Sequence, residues 1–225
     1  MFFFDQTLLL LIPAVLLSLF AQWKVKSTFN TYSKVRSSRG MSGGEAAATL
    51  ARLERVPVSV RAGRGYLSDH FDPSTDSLVL SPEVHSGRSL ASLGVAAHEL
   101  GHALQKQSGY LPLALRSGLV PLANFGSQFS MVLFFIGIFA GIEPLQIGGI
   151  VLFSLAVLFT LVTLPVEFDA SARAVRLLRA HGLVSEQELP AVKKVLTAAA
   201  LTYVAAAVMA IVQLLRLVLI ARRDD

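Results

Sequence analysis

The sequence contains no cysteine, and this absence removes several kinds of chemistry at once. Disulfide bridges, cysteine-ligated zinc sites and thiol nucleophiles are all excluded. Any metal site in this chain must therefore be built from histidine and carboxylate side chains. The sequence also has no internal repeat, no low-complexity segment and no nucleic-acid-binding motif, so its net charge of +5 needs another explanation.

Charged residues are also scarce, at 16% of the chain, whereas hydrophobic residues make up 53%. Soluble domains average about 25% charged and roughly 45–50% apolar residues. The surplus apolar residues lie in long uncharged runs, which are typical of membrane-spanning helices. Glu143 and Pro144 separate two of these runs and so predict a tight helical hairpin. The four predicted spans are 7–22, 119–142, 145–164 and 195–220.

Lysine and arginine residues predict the orientation, because they collect in cytoplasmic loops near spans and interact with anionic lipid. The segment between the first two spans carries twelve of them, which indicates a cytoplasmic location and accounts for the net charge. The hairpin returns the segment before the fourth run, which holds five more, to the same side. The predicted division is an anchor at 1–22, a cytoplasmic segment at 23–118, a hairpin at 119–165, a second cytoplasmic segment at 166–194 and a C-terminal membrane helix with its tail at 195–225.

Charges near the two ends of the chain indicate how these ends are oriented. Asp5 precedes the first run and basic residues follow it, which favours an uncleaved anchor with an outer N-terminus over a signal peptide. The fourth run is less regular, because Arg216 lies within it and a charge in a membrane is costly. If that run spans, Arg222 and Arg223 lie outside.

The segment between the first two spans predicts a small α+β unit. Ser42 and Glu45 form a capping box that starts a short helix, and Pro57 ends it. A longer helix is predicted at 89–106. Short strands are predicted at 58–61, 66–71 and 77–80. The predicted fold class is therefore a mainly α integral membrane protein with about four transmembrane helices and a small α+β cytoplasmic unit.

The longer helix carries a His-Glu-x-x-His motif at 98–102. Residues four apart share a helix face, so His98 and His102 can direct two imidazoles at one ion. Zn²⁺ accepts two histidines, a carboxylate and one open water position, and Glu99 can take a proton from that water. Gly101 costs about 1 kcal/mol relative to alanine in a helix, which close approach by another backbone would explain. The alternative is a polar helix face whose histidines bond to backbone groups.

A third ligand must lie on the same side of the membrane as His98. Glu167 meets this requirement because it directly follows the third span. The two ends of the hairpin meet at one membrane face, so Glu167 and His102 can be neighbours although they are far apart in sequence. An interfacial carboxylate without a metal is the other interpretation of Glu167. The alternative ligands are Asp169, His70, Asp72 and His85.

Long segments of the chain resemble the YugP-type membrane zinc metallopeptidases of bacteria. The likeness covers nearly the whole length and rests on MFFFD, KVKSTFNTYSKVRSSRGMSG, LSDHFDP, SLGVAAHELGHALQ, LRSGLVPLAN, LVTLPVEFDAS and LTAAALTYVAAA. The resemblance implies a zincin-like unit around the His-Glu-x-x-His helix and a gluzincin-type zinc endopeptidase, distantly similar to HtpX-like proteases. In that wider group a glutamate in a Glu-Phe-x-Ala-Asp context is the third ligand, which implies this role for Glu167.

The resemblance has one local departure. Ser171 stands where the wider group has an aspartate that would orient a metal ligand from behind. This leaves open which residue orients the ligands here, and Asp169 is one candidate.

Residues and resemblance together predict a membrane-embedded zinc metallopeptidase at the cytoplasmic face of the cell membrane, with one Zn²⁺ held by His98, His102 and Glu167 and with Glu99 as general base. The expected partners are a membrane-associated polypeptide and the lipid bilayer, without nucleic acid, and a homo-oligomer is compatible with the sequence. The alternatives are a non-catalytic zinc-binding scaffold or regulator, which has no need of a general base, and a transporter, which no inverted repeat supports.

A peptidase also needs groups that bind the substrate backbone and stabilise the reacting carbonyl oxygen. The strands around 67–80 lie just before the metal helix and can bind a substrate backbone by strand addition, although a purely structural hairpin is the alternative. An oxyanion stabiliser is also expected in a peptidase. Its candidates are Tyr203, His70 and Arg173.

Overall fold

The computed structural model describes residues 6–222, so the interpretations of Asp5 and Arg223 lie outside the described residues. Within these residues, a 3-10 helix at Gln6–Leu10 is followed by seven α-helices and three strands. The helices are α1 (Leu11–Tyr32), α2 (Gly43–Leu53), α3 (Pro82–His85), α4 (Leu90–Gln107), α5 (Leu111–Ala140), α6 (Glu143–Ala180) and α7 (Leu189–Ala221). The strands are β1 (Ser59–Ala62), β2 (His70–Asp72) and β3 (Ser77–Leu80).

The chain forms two compact units. The apolar unit comprises Met1–Gln22, Ala114–Pro165 and Thr202–Asp225. The mixed unit, which contains all three strands, comprises Trp23–Leu113 and Val166–Leu201. The finer five-part division made from the sequence stays a prediction.

Four helical stretches within 6–222 are long and apolar enough to cross a membrane, which agrees with the four predicted spans. They run longer than predicted, at Thr7–Tyr32, Leu111–Ala140, Glu143–Ala180 and Leu189–Ala221. The predicted hairpin is also present: α5 ends at Ala140, Gly141 adopts a positive φ of 67°, and α6 begins at Glu143. Glycine tolerates this left-handed conformation without steric cost, so the chain reverses within two residues.

Within the apolar unit, α5 and α6 approach closely through small residues. A side chain on Gly126 would lie 2.5 Å from the Leu152 carbonyl oxygen, and one on Gly149 would lie 2.7 Å from the Ser130 carbonyl oxygen. Such contacts are typical of membrane helix pairs, where packing replaces the hydrophobic effect. Arg216, which interrupts the fourth run, donates to the Thr7 hydroxyl at 3.2 Å, so this charged side chain has a polar partner within the unit.

The mixed unit packs its helices around a three-stranded sheet in the order β1-β3-β2. β3 is central and pairs parallel with β1 and antiparallel with β2. The predicted capping box is confirmed, since Ser42 accepts from the Glu45 amide while the Glu45 carboxylate accepts from the Ser42 amide. The core is dominated by leucines with no exposed surface: Leu50, Leu78, Leu80, Leu93, Leu100 and Leu178.

The strand predicted at 66–71 is wrong over its first four residues, because β2 begins only at His70. Gly65 and Leu67 have φ values of 96° and 52°, which no extended strand allows. The Asp69 carboxylate instead accepts from the Ser81 amide at 2.7 Å, where it ties the loop to the start of α3. A hydrogen bond to a polar side chain, and not the apolar pattern of the sequence, therefore sets the loop conformation before β2.

Candidate metal centre

Helix α4 carries the two histidines of the motif on one face. Ser89 caps the helix by accepting from the Ser92 amide at 3.1 Å, which sets where the helical register begins. One turn separates His98 from His102, and their rings meet edge to face with centroids 4.8 Å apart. The local helix thus presents both imidazoles to the same volume.

Helix α6 brings Glu167 to the same point. Its Oε2 lies 3.2 Å from His98 Nε2 and 3.6 Å from His102 Nε2. Among residues 6–222, His98, His102 and Glu167 form the one group of three potential ligands whose donor atoms converge, all within 4.8 Å of one another. Of the carboxylates and histidines considered from the sequence, it is Glu167 that completes the cluster.

The other four candidate ligands have different partners. Asp72 accepts from Ser74 and Thr75 within its turn, and these hydrogen bonds hold the pKa of its carboxyl well below the usual range. His70 Nδ1 contacts the Ser68 carbonyl at 2.8 Å, and His85 packs against Gly44. Asp169 contacts Gln105 and Arg173 rather than the histidines. None of the four belongs to the converging group described above.

Each histidine uses its second ring nitrogen for a contact away from the cluster. The Ser171 hydroxyl lies 3.1 Å from His98 Nδ1, and the Gln105 side-chain oxygen lies 3.0 Å from His102 Nδ1. Such contacts orient a metal-binding imidazole and present its other nitrogen, here Nε2, to the ion. Ser171, left in doubt by the sequence, therefore contacts a predicted ligand directly.

Gln105 was missed by sequence reasoning. It lies three residues after His102 on α4 and is completely buried. Its spacing would place it near His102, but a glutamine three residues from a histidine is common on helices and points to no function alone. What distinguishes Gln105 is its contact with α6, and no local sequence pattern reveals that contact.

Gly101 lets the two helices of the site approach closely. A side chain at this position would lie 2.6 Å from the Ala170 carbonyl oxygen and 3.1 Å from the Ala170 Cα. These are backbone atoms of α6, so the expectation of a close backbone approach at Gly101 is confirmed. The glycine therefore sets the short distance between the helices that carry His102 and Glu167.

The electrostatics of the cluster favour a cation. Burial of the His102 side chain acts to lower its pKa, but the adjacent Glu167 carboxylate and the negative charge of Glu99 outweigh burial, so the pKa of His102 is raised. Glu99 is 8% exposed and Glu167 is 2% exposed. Two carboxylates are thus nearly buried beside two imidazoles, and a divalent cation would balance their charge.

The donor set fits zinc. Two imidazole nitrogens and one carboxylate oxygen are the protein ligands of a common class of catalytic zinc site, which keeps a fourth position for water.

Of the predicted oxyanion candidates, Arg173 is engaged elsewhere: it donates to Asp169 at 2.6 Å and its guanidinium lies 5.7 Å from the Tyr110 ring centroid. Tyr203 belongs to the apolar unit.

Comparisons with known proteins agree with this chemistry. A family model described as "Putative neutral zinc metallopeptidase" matches residues 7–222. The chain is also 47% identical over 212 residues to the Bacillus subtilis (strain 168) protein named "Putative membrane protease YugP", and the alignment covers 94% of each chain. No solved structure matches the chain significantly.

Proposed function

Because the chain belongs to the family described as "Putative neutral zinc metallopeptidase", we propose that it is a membrane-embedded zinc endopeptidase that uses Glu99 as general base. The observation that carries this proposal is the convergence of His98 Nε2, His102 Nε2 and Glu167 Oε2 next to a nearly buried glutamate. A structural zinc site needs four protein ligands and no base, whereas this group offers three ligands and Glu99.

His98, His102 and Glu167 would hold the ion, with Ser171 and Gln105 supporting the two histidines. Bound zinc would polarise the substrate carbonyl and lower the pKa of a water molecule so that it attacks near neutral pH. The remaining chemistry falls to the protein. Glu99 follows His98 directly, and its carboxylate raises the pKa of His102 by its charge, which supports a position at the cluster.

Glu99 would move the protons of the reaction. It would accept one from the attacking water and deliver it to the nitrogen of the leaving amine, so that the peptide bond breaks without releasing a charged amide. Burial keeps bulk water away from this carboxylate and strengthens its interaction with the reacting groups. The low exposure of Glu99, 8%, is consistent with this role.

The substrate backbone would add to the edge strand β2. Within the described residues, β3 pairs with β2 on one side and with β1 on the other, so β2 is an edge strand to which an extended chain could add. β2 also packs against α4, the helix that carries the motif. Strand addition would supply main-chain hydrogen bonds without regard to the side-chain sequence of the substrate.

The catalytic face would be cytoplasmic. The basic residues after the first apolar run and before the fourth support this orientation, because such residues collect on the cytoplasmic side. The substrate would then be a polypeptide at or near the inner surface of the cell membrane.

The metal assignment is tested by zinc analysis of the purified protein in detergent. We expect about one zinc per chain, and Glu167→Ala should weaken zinc binding by roughly 100-fold or more, since each ligand carries a large share of the binding free energy. His85→Ala is the matched control and should retain zinc. Full zinc retention in Glu167→Ala would remove it from the ligand set.

The catalytic assignment is tested by Glu99→Gln, which keeps the shape of the side chain but removes the base. This variant should bind zinc like the wild type and lose casein cleavage or self-cleavage, by about 100-fold or more. Glu83→Gln, an exposed change in α3, is the control and should stay active. Activity in Glu99→Gln would disprove the mechanism, and a wild type that binds zinc but cleaves nothing would favour the scaffold alternative.

A further inference from the structure

Gln105 is a buried amide whose hydrogen bonds join both helices of the metal centre. Its side chain is completely inaccessible to solvent, and burying an amide is costly unless its polar atoms are all bonded. Its Nε2 donates to the Val166 carbonyl at 2.8 Å and to Asp169 Oδ2 at 2.8 Å. Its Oε1 faces His102 Nδ1 at 3.0 Å.

The chemistry of these partners determines which way the amide points. The Val166 carbonyl can only accept a hydrogen bond, so the NH₂ group of Gln105 must face it. Asp169 Oδ2 also accepts from Arg173 Nε at 2.6 Å, so this oxygen acts as an acceptor and has no hydrogen to donate to the amide. Both hydrogens of the amide are therefore committed to α6.

The orientation of the amide then determines the tautomer of His102. Gln105 Oε1 can only accept, so His102 Nδ1 must carry a hydrogen. In a neutral imidazole this leaves Nε2 with its lone pair, and Nε2 is the atom that lies 3.6 Å from Glu167 Oε2. The amide thus holds His102 in the form that can bind a metal.

We propose that Gln105 is a positioning residue, held by the Asp169–Arg173 ion pair, that fixes the metal-binding tautomer of His102 and ties α4 to the residue before Glu167. This inference rests on the proposed zinc site. The Gln105 side chain contacts both parts of the ligand set. Its partner Val166 immediately precedes Glu167, and its partner His102 lies one turn before it on α4.

The contact at His98 does not select a tautomer. Ser171 contacts His98 Nδ1 through a hydroxyl, and a hydroxyl can rotate to donate or accept. Ser171 therefore orients the His98 ring without selecting its tautomer. The selection is carried by Gln105, and substitutions there should affect zinc affinity more than comparable changes at Ser171.

The first experiment measures zinc affinity by chelator competition for purified Gln105→Leu, which keeps the size of the side chain but removes its polar atoms. We expect affinity to fall 10–100-fold, as is typical when a residue that orients a metal ligand is lost. The Co²⁺-substituted protein should also show an altered visible spectrum, which a loss of stability alone would not produce. Gln107→Leu, two positions along the same helix and exposed, is the matched control and should change neither.

The second experiment tests the coupling to α6. Asp169→Ala removes one acceptor of the amide and should weaken zinc binding by less than Gln105→Leu does. In a Gln105→Leu background it should add nothing, because residues in one network are not additive. Additive losses would contradict the network. Glu186→Ala, which breaks the exposed Arg179–Glu186 pair further along the chain, is its control.

The outcomes separate this inference from the proposed function. A wild type that binds no zinc would refute both. A wild type that binds zinc and cleaves peptides, with Gln105→Leu matching Gln107→Leu in affinity and Co²⁺ spectrum, would refute only the role of Gln105. If Gln105→Leu fails to fold by circular dichroism, Asp169→Ala decides, and zinc affinity equal to that of Glu186→Ala would overturn the inference.

Discussion

The mixed unit and the apolar unit differ in how many large apolar side chains they expose. In the mixed unit, leucines such as Leu100 are fully buried, whereas in the apolar unit Leu122 is 50% exposed and Phe139 is 77% exposed. Lipid solvates apolar side chains, so the apolar unit can leave many of them exposed at its surface. A polar site can lie in the interior of the mixed unit only if every polar group of that site is hydrogen-bonded.

The two units nevertheless share one packing device. Gly101 allows contact with the Ala170 backbone in the mixed unit, and Gly126 allows contact with the Leu152 backbone in the apolar unit. Glycine therefore allows close contact between helix backbones in both units. The continuous chain of polar contacts, from His102 through Gln105 and Asp169 to Arg173, belongs to the mixed unit.

The comparison is tested most strongly by shortening one leucine in each unit. Leu100→Ala should destabilise the protein by about 2–5 kcal/mol, because it leaves a cavity in a packed core. Leu122→Ala should cost less than about 0.5 kcal/mol, because this side chain faces outward and leaves no cavity. Thermal unfolding in detergent, followed by circular dichroism, measures both. Equal losses would show that the side chains around Leu122 are as tightly packed as a core.

Removing the metal should affect the two units differently. Zinc at 100 times its dissociation constant stabilises the folded site by about 2.7 kcal/mol, and a chelator removes this contribution. We expect faster hydrogen exchange in α4 and in 166–180 after chelation, with α5 unchanged. Mass spectrometry of peptides from both segments makes the measurement. A uniform change across the whole chain would contradict independent behaviour of the units.

Gly101→Ala should disturb the metal centre through packing alone. The added carbon would lie 2.6 Å from the Ala170 carbonyl oxygen, so α4 and α6 must separate. Overpacking costs typically 1–3 kcal/mol, and the better helix propensity of alanine offsets up to about 1 kcal/mol of that. Both the melting temperature and the zinc affinity should fall.

Gly94→Ala on the same helix is the matched control for that change. Its added carbon would lie 3.2 Å from a Val192 side-chain methyl, which can shift where a backbone cannot. The substitution should be close to neutral for stability and for zinc affinity. A loss as large as that of Gly101→Ala would show that any added volume in α4 disturbs the site.

The smallest effect is expected at the capping box of α2, remote in sequence from the ligands. Ser42→Ala removes the acceptor for the Glu45 amide and should cost about 1 kcal/mol of stability. Zinc affinity should not change. A decrease in zinc affinity as large as that of Gly101→Ala would show that α2 is coupled to the site.

Much of the local structure could be predicted from the sequence because it depends on neighbours along the chain. The capping box at Ser42 and Glu45 was predicted correctly, since its two hydrogen bonds lie within one helical turn. The strand expected at 66–71 was not, because Asp69 bonds to Ser81, twelve residues further on. An apolar pattern carries no information about such a partner.

The sequence by itself determined the four apolar helices and placed two histidines with a glutamate on one helical turn, because run length and a spacing of four are local properties. The hairpin and the family resemblance predicted Glu167 as the third ligand, but only the tertiary structure showed its contact with the histidines, the contact of Ser171 with His98 and the contact of Gln105 with His102. These contacts join residues more than sixty positions apart or depend on such a contact, and they form only when Gly101 lets α6 pack against α4. The physical reason is that these contacts depend on hydrogen bonds between α4 and α6, and no periodicity within one helix encodes a partner on another helix.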